Sequence, residues 1–475
     1  MAFKIVFLLL CATILPVCVS SQTTLNTKQG TLHGVSVQTP YGGARIFYGI
    51  PYATPPVGDL RLRPPKPPAG FQEYNATYNR AKCMQHGFFS HEADMLGFNN
   101  SMNMNEDCLY LNVYVPDNAA AGMAVMVWIH GGGYNSGSGS LYDARYIATQ
   151  GGVIVVTINY RLGLLGFFPS GGTEETLGLQ DQIMALSWVQ QAIGAFGGDP
   201  TRVTIFGESA GSQSVSFLTT APQARGLFTR AIMESGVATS PFDNSNHVEQ
   251  MYTLNAKVME LGCFNDSVTC ARNFSMDQLM KLAPLAPNPM PGIDNDVIPA
   301  DFATNISLVH PGLELIIGVN QNEGSMGVYI ECTAMRTQIC DVNGGVDLAQ
   351  RQAMNPNITP RLQPDQMNIL VQTYNNWFPY PVQQGRMNVR AASQFSGDWV
   401  FRIPSNKTAT RLVEAGFKVY VYQFNATTHL LPVPWSSDAQ HADEIPFVFG
   451  WVFQSPQEKA LSNGMVKLWT DFAKG

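Results

Sequence analysis

Charge is what this 475-residue chain has least of. Only 13% of its residues are Asp, Glu, Lys or Arg, about half the usual share. A protein so poor in charge needs another source of solubility. The formal net charge is −7 and no Lys/Arg run occurs, which argues against a nucleic-acid partner. Beyond the N-terminus there is no apolar run of the ~20 residues that a membrane span needs. Internal repeats and low-complexity tracts are absent, and so are CxxC pairs and clustered histidines. The last absence leaves nothing to suggest a zinc site.

What is present points to the secretory route. Met1 to about Ser21 has a positive Lys4, an apolar stretch from Ile5 to Val19 and small residues at Ser20 and Ser21. That is the layout of a signal peptide. Pro16 interrupts the run, and its length falls short of an anchor. Without Cys11 and Cys18, six cysteines remain: Cys83, Cys108, Cys263, Cys270, Cys332 and Cys340. An even set suits an oxidising compartment. Six cysteines allow 15 connectivities, of which local spacing favours Cys263–Cys270, Cys332–Cys340 and, by remainder, Cys83–Cys108. Asn75, Asn99, Asn265, Asn273, Asn305, Asn357, Asn406 and Asn425 each open an N-x-[ST] triplet. Glycans at such sites would solvate a surface short of charge.

Pro-rich turns punctuate the N-terminal third, and the middle alternates strands and helices. Ala124–Ile129 and Val153–Ile158 are short, wholly apolar runs, as expected of strands buried on both faces of a mostly parallel sheet. From Gln180 to Phe196, apolar residues recur at helical spacing until Gly197-Gly198-Asp199-Pro200 ends the helix. Leu313–Val319 and Phe417–Phe424 read as further strands. The alternation implies an α/β fold with a doubly wound sheet and helices on both faces. Reactive groups then belong at the C-terminal ends of the strands.

At one such end lies Gly207-Glu208-Ser209-Ala210-Gly211, between an apolar strand and a helical run starting near Gln213. This is the nucleophile elbow pattern. Chance alone would supply a GxSxG match about 0.2 times in a chain this long, so its surroundings decide. A serine needs a base, and the base needs a carboxylate to fix its tautomer. In chain order Ser, acid, His, the candidates are Glu323, in the polar loop after the strand ending at Asn320, and His441. His429 also satisfies the order; His247 and His310 do not. An exposed Glu323 and a solvated acidic loop of Asp438, Asp443 and Glu444 are the alternatives. His130-Gly131-Gly132-Gly133-Tyr134 follows the strand ending at Ile129. A glycine loop there can bring backbone N–H groups close to a substrate oxyanion. With the elbow it would give three donors, from Gly132, Gly133 and Ala210, and losing one such donor typically costs roughly 10²–10³ in turnover.

With these motifs in this order, the chain resembles the type B carboxylesterase/cholinesterase family of α/β hydrolases from about Thr27 to its last residue. The most specific stretches are Glu106–Val113, Asn159–Gly163, Ala195–Pro200, Gly318–Asn320 before Glu323, and His441–Gly450. The resemblance implies one α/β-hydrolase domain over 22–475 and a Ser209–Glu323–His441 triad. It supports the Cys83–Cys108 and Cys263–Cys270 bridges, whereas Cys332–Cys340 rests on spacing. It also implies ion pairs Arg61–Glu106 and Arg161–Asp181, and a site role for Glu208. Cholinesterases stack choline on a tryptophan at the position of Phe98. Phe is a weaker cation–π partner, which favours a general carboxylesterase. The expected protein is a secreted serine esterase acting on small-molecule esters through an acyl-enzyme, with no metal or organic cofactor. The resemblance leaves the oligomeric state open. A lipase is one alternative, with a lid over the Met- and Phe-rich Cys83–Cys108 loop. A non-enzymatic recognition protein of the same fold is the other. Family catalytic domains run on past the helix that ends here at Gly475, so the sequence reads as a naturally short form or a fragment.

Overall fold

The two apolar runs form neighbouring central strands, and the sheet is laid out around them. A computed structural model describes residues 21–85, 103–119, 121–241, 247–285, 290–333, 340–341, 345–354, 362–379, 382–427, 433, 435–451 and 455–475. Residues 1–20 of the expected signal peptide, Phe98, Asn99, Asn357 and His429 lie outside them. Eleven strands make one sheet: β1 (Ser21–Asn26), β2 (Thr31–Thr39), β3 (Gly42–Pro51), β4 (Glu73–Asn75), β5 (Tyr110–Pro116), β6 (Met123–Ile129), β7 (Ile154–Ile158), β8 (Gly198–Glu208), β9 (Arg230–Glu234), β10 (Glu314–Asn320) and β11 (Lys418–Phe424). Their order is β1-β2-β3-β5-β7-β6-β8-β9-β10-β11, with β4 paired to β2. From β7 to β11 every neighbouring pair is parallel. From β1 to β7 the path is antiparallel. This antiparallel flank was not legible in the sequence. Its first strands are partly exposed and rich in Gly and Thr, so their hydrophobic signal is weak.

Side chains alternate along the strands and feed two cores. On one face, Val125, Val127 and Ile129 of β6 pack with α2 (Leu177–Ala192) through Leu186 and Val189, and with α3 (Ala210–Leu218) through Val215 and Leu218. On the other, Met126 and Trp128 meet Ile147 and Ala148 of α1 (Arg145–Gly151) and Met465, Val466 and Trp469 of a C-terminal helix, Pro456–Lys474. This is the expected α/β architecture. Strand β7 is buried at all five positions, which is why its sequence is apolar throughout rather than alternating.

Cys83–Cys108 (Cα–Cα 4.9 Å) and Cys263–Cys270 (5.9 Å) are disulfides. Cys332 is also disulfide-bonded; the side chain of Cys340 lies outside the described residues. Both expected ion pairs are present. Arg61 donates twice to Glu106 at 2.6 Å. Arg161 Nε and Nη2 donate to the two oxygens of the buried Asp181 at 2.7 Å, and its backbone N–H adds a third bond. Arg161→Met would strand the Asp181 carboxylate in the core. The expected cost is about 3–5 kcal/mol, read as a shift of the urea midpoint.

Candidate active site

Ser209 sits between β8, which ends at Glu208, and α3, which begins at Ala210. Its backbone is at φ 58°, ψ −122°, a strained conformation for any residue with a side chain. The neighbouring glycines explain how the turn is held. A Cβ on Gly211 would lie 2.0 Å from the Ile129 carbonyl oxygen, and one on Gly207 would lie 2.5 Å from it. Nothing larger fits between the elbow and the end of β6.

The loop after β6 lies against this turn. His130 is fully buried and stacks on Tyr160 at 4.4 Å, while the Tyr160 hydroxyl donates to the His130 carbonyl at 2.7 Å. Burial lowers the His130 pKa to about 4, so it is a neutral structural side chain at ordinary pH. Gly132 and Gly133 follow at φ 103° and 62°. Among the described residues, the N–H groups of Gly132, Gly133 and Ala210 have no backbone acceptor. Two donors after β6 and one after β8 therefore have no backbone partner.

The acid and base come from two more strand-ends. Glu323 follows β10 and opens a helix, α4 (Gly324–Thr333). It is 2% exposed, so the exposed-loop alternative does not hold. Its Oε1 accepts the Asn320 N–H at 2.6 Å, and its Oε2 lies 2.7 Å from His441 Nδ1. Asp443 and Glu444 are buried too, whereas Asp438 is half-buried; the solvated-loop alternative does not hold for the two acids that follow His441. Ala442, next to the histidine, is at φ 71°. The other face of the imidazole meets the Phe401 ring at 4.6 Å. Phe401 belongs to a π-helical turn, Asp398–Arg402, between α5 (Val389–Gly397) and α6 (Ile403–Glu414). From the same turn Arg402 donates to the Gln321 carbonyl at 2.6 Å, bracing the loop that carries Glu323.

His441 Nε2 is 3.0 Å from Glu208 Oε1. The contact is close without being aligned as a hydrogen bond, since Oε1 has no such partner among the described residues. Burial by itself lowers the His441 pKa, but Glu208, Glu323 and Asp443 outweigh it and raise it to about 9. Burial raises Glu208 to about 7, helped by Glu323 and opposed by His441. Two more carboxyls stand behind. Glu234 is the register partner of Glu208 on the adjacent strand and accepts the Trp469 indole N–H at 2.8 Å. Burial raises Glu234 to about 8 and Glu444 well above the usual carboxylate range, with neighbouring carboxylates adding to both.

The Carboxylesterase family model matches residues 21–475. Among known proteins, acylcarnitine hydrolase of Mus musculus is 35% identical over 94% of this chain and 82% of its own length. Cocaine esterase of Homo sapiens is 35% identical over 93% and 81%. Neuroligin-3 of Mus musculus is 34% identical over 95% and 61%. This chain belongs to the carboxylesterase family. Its chemistry is carboxylic-ester hydrolysis.

The esterase's candidate groups thus arrive from four strand-ends: His130–Gly133 after β6, Glu208–Ala210 after β8, Glu323 after β10 and His441 after β11. His310 lies elsewhere, buried with its Nε2 2.9 Å from the Ala221 carbonyl. Phe98 is outside the described residues. Glu234, Glu444, Asn320 and Phe401 were not read as site residues from the sequence. Glu234 occupies in β9 the position Glu208 has in β8, which only the pairing register reveals. Phe401 sits in a π-turn that no sequence period announces. Of the described sequon asparagines, Asn75, Asn265, Asn273, Asn406 and Asn425 are exposed. Asn305 is half-buried, and its side-chain amide donates to Asp301 at 2.7 Å.

Proposed function

We propose that this esterase is a secreted serine carboxylesterase working through an acyl-enzyme. Ser209 is its nucleophile, His441 the base and Glu323 the orienting carboxylate. The observation that supports this most is the 2.7 Å contact of Glu323 with His441 Nδ1, made beside the strained Ser209. The Glu323 carboxylate holds the Nδ1 proton in place, which leaves Nε2 for the serine hydroxyl. Ser209 Oγ attacks the ester carbonyl as its proton passes to Nε2. The N–H groups of Gly132, Gly133 and Ala210 receive the oxyanion. His441 returns the proton to the leaving alcohol, and water then releases the acid by the same route. The substrate is a small-molecule carboxylic ester, in keeping with relatives named acylcarnitine hydrolase and cocaine esterase. Secretion is supported by the N-terminal segment, the disulfides and the exposed sequons, which we assign as glycan sites. A fluorophosphonate probe is expected to label Ser209, located by peptide mass spectrometry. Labelling elsewhere, or none, overturns the assignment.

Glu208 sets the pH at which this base works. The base form of His441 is the neutral one, and the Glu208 carboxylate stabilises the imidazolium. Glu208→Gln removes that charge, so the imidazole loses its proton more easily. The acidic limb of the kcat/KM profile is expected to move to lower pH by about 1–3 units. An unmoved limb would show that Glu208 does not face the working imidazole.

A further inference from the structure

Asn320 is the last residue of β10 and is fully buried, yet the mechanism above gives its side chain no part. Its amide Nδ2 donates to the Gln440 carbonyl at 2.6 Å and also to Glu444 Oε2. Gln440 immediately precedes His441, and Glu444 is three residues beyond it. The backbone N–H of the same Asn320 holds Glu323 Oε1. One residue therefore grips the acid with its main chain and the histidine loop with its side chain. The orientation of the amide follows from its partners. A carbonyl oxygen only accepts, so the NH₂ end must face Gln440. The opposite end, Oδ1, has no hydrogen-bond partner among the described residues. The amide's bonding is spent wholly on the loop that carries His441.

The geometry points to Asn320 as a positioning residue that fixes the Glu323–His441 contact. This inference rests on the triad reading given above. The competing possibility is redundancy. The Asn322 N–H already donates to the Ala439 carbonyl at 2.8 Å, and the Asn322 side chain donates to Ser436 at 3.0 Å. Those bonds tie the two loops together, but two or more residues away from His441. The Asn320 amide is the clasp next to the imidazole, and it acts on the backbone at that point.

Asn320→Asp tests it, because Asp keeps the volume and removes both donors. A carboxylate would face the Gln440 carbonyl oxygen with no donor between them, so the His441 loop is pushed off its seat. A displacement of about 1 Å in a reacting group costs on the order of 10²-fold. Asn320→Asp is therefore expected to lower kcat about 100-fold while KM stays within about threefold. The downfield proton NMR signal of the hydrogen shared by His441 Nδ1 and Glu323 should shift or broaden. Asn320→Ser, which keeps a single donor, should give the same changes in milder form. A kcat within threefold of wild type with an unmoved NMR signal would overturn the inference and leave the Asn322 bond as sufficient. Failure of both variants to fold would overturn it too, making Asn320 a fold determinant instead. Ser209→Ala in the same assay separates the two levels. If that variant stays active, the triad reading fails; if it is dead and Asn320→Asp is not impaired, only the role of Asn320 fails.

Discussion

Ser209→Ala is expected to lower kcat for short p-nitrophenyl esters by on the order of 10⁶-fold and to abolish fluorophosphonate labelling. The fold should survive. Ser209 is half-buried, and what fixes its backbone is the packing of Gly207 and Gly211 on the Ile129 carbonyl, which the substitution leaves intact. Ala adopts φ 58° no more easily than Ser, so the strain persists, and stability is expected to change by less than about 1 kcal/mol. Ser209→Gly is the informative companion. It is equally dead, but glycine takes the positive φ without strain, so it should melt higher than Ser209→Ala by about 1 kcal/mol. Thermal unfolding of the two variants reads the strain stored at the elbow, and the esterase assay reads the chemistry. Residual turnover within a hundredfold of wild type would remove Ser209 from the mechanism.

The sequence made the parallel half of the sheet legible because those strands are buried on both faces. Val153–Ile158 is apolar throughout, and it became β7 with its start moved by one residue. The helix expected from Gln180 begins instead at Leu177. Thr176 before it carries no side-chain cap bond, so no capping signal marked its start. The glycine loop, the elbow, Glu323 and His441 were found as motifs, since their spacing is local or their chain order is fixed. The pocket behind the histidine was not. Asp443 and Glu444 look like a solvated acidic run in one dimension. In three, Glu444 is fully buried, with Glu208 and Glu234 among the carboxyls that raise its pKa. Burial of that kind depends on four strand-ends meeting, which no single window of sequence contains.

That cluster also bears on how the base is poised. Glu208, Glu323 and Asp443 face the imidazole, while Glu234 and Glu444 interact with Glu208, and such a set cannot all be charged at low cost in a buried site. Raising Glu208, Glu234 and Glu444 keeps protons on part of the set at neutral pH. Glu208 and the imidazole lie 3.0 Å apart, and the charge on each favours the charged form of the other. In the proposed mechanism only the neutral form of His441 can act as the base. With His441 as the proposed base, the pH profile of the enzyme is expected to follow the Glu208–His441 pair rather than the histidine alone.

Glu323→Gln is expected to cost about 10⁴ in kcat at neutral pH, although it changes one oxygen into an NH₂ group. The reason lies with the backbone of Asn320. Its N–H donates to Glu323 Oε1, so in the variant that position must still be filled by an acceptor, and the Gln oxygen takes it. The NH₂ group is then left facing His441 Nδ1, where Oε2 now stands at 2.7 Å. Two donors cannot share that contact, so Nδ1 gives up its hydrogen and becomes the acceptor. The proton moves to Nε2, which no longer has a lone pair for the serine hydroxyl. The variant should be folded, bind substrate with KM within about threefold of wild type, and react slowly with fluorophosphonate. ¹⁵N NMR of the His441 side chain should show the exchanged tautomer directly. A kcat within tenfold of wild type, with the tautomer unchanged, would mean that Glu323 does not orient the base and that the acid must be sought among Glu208 and Glu444.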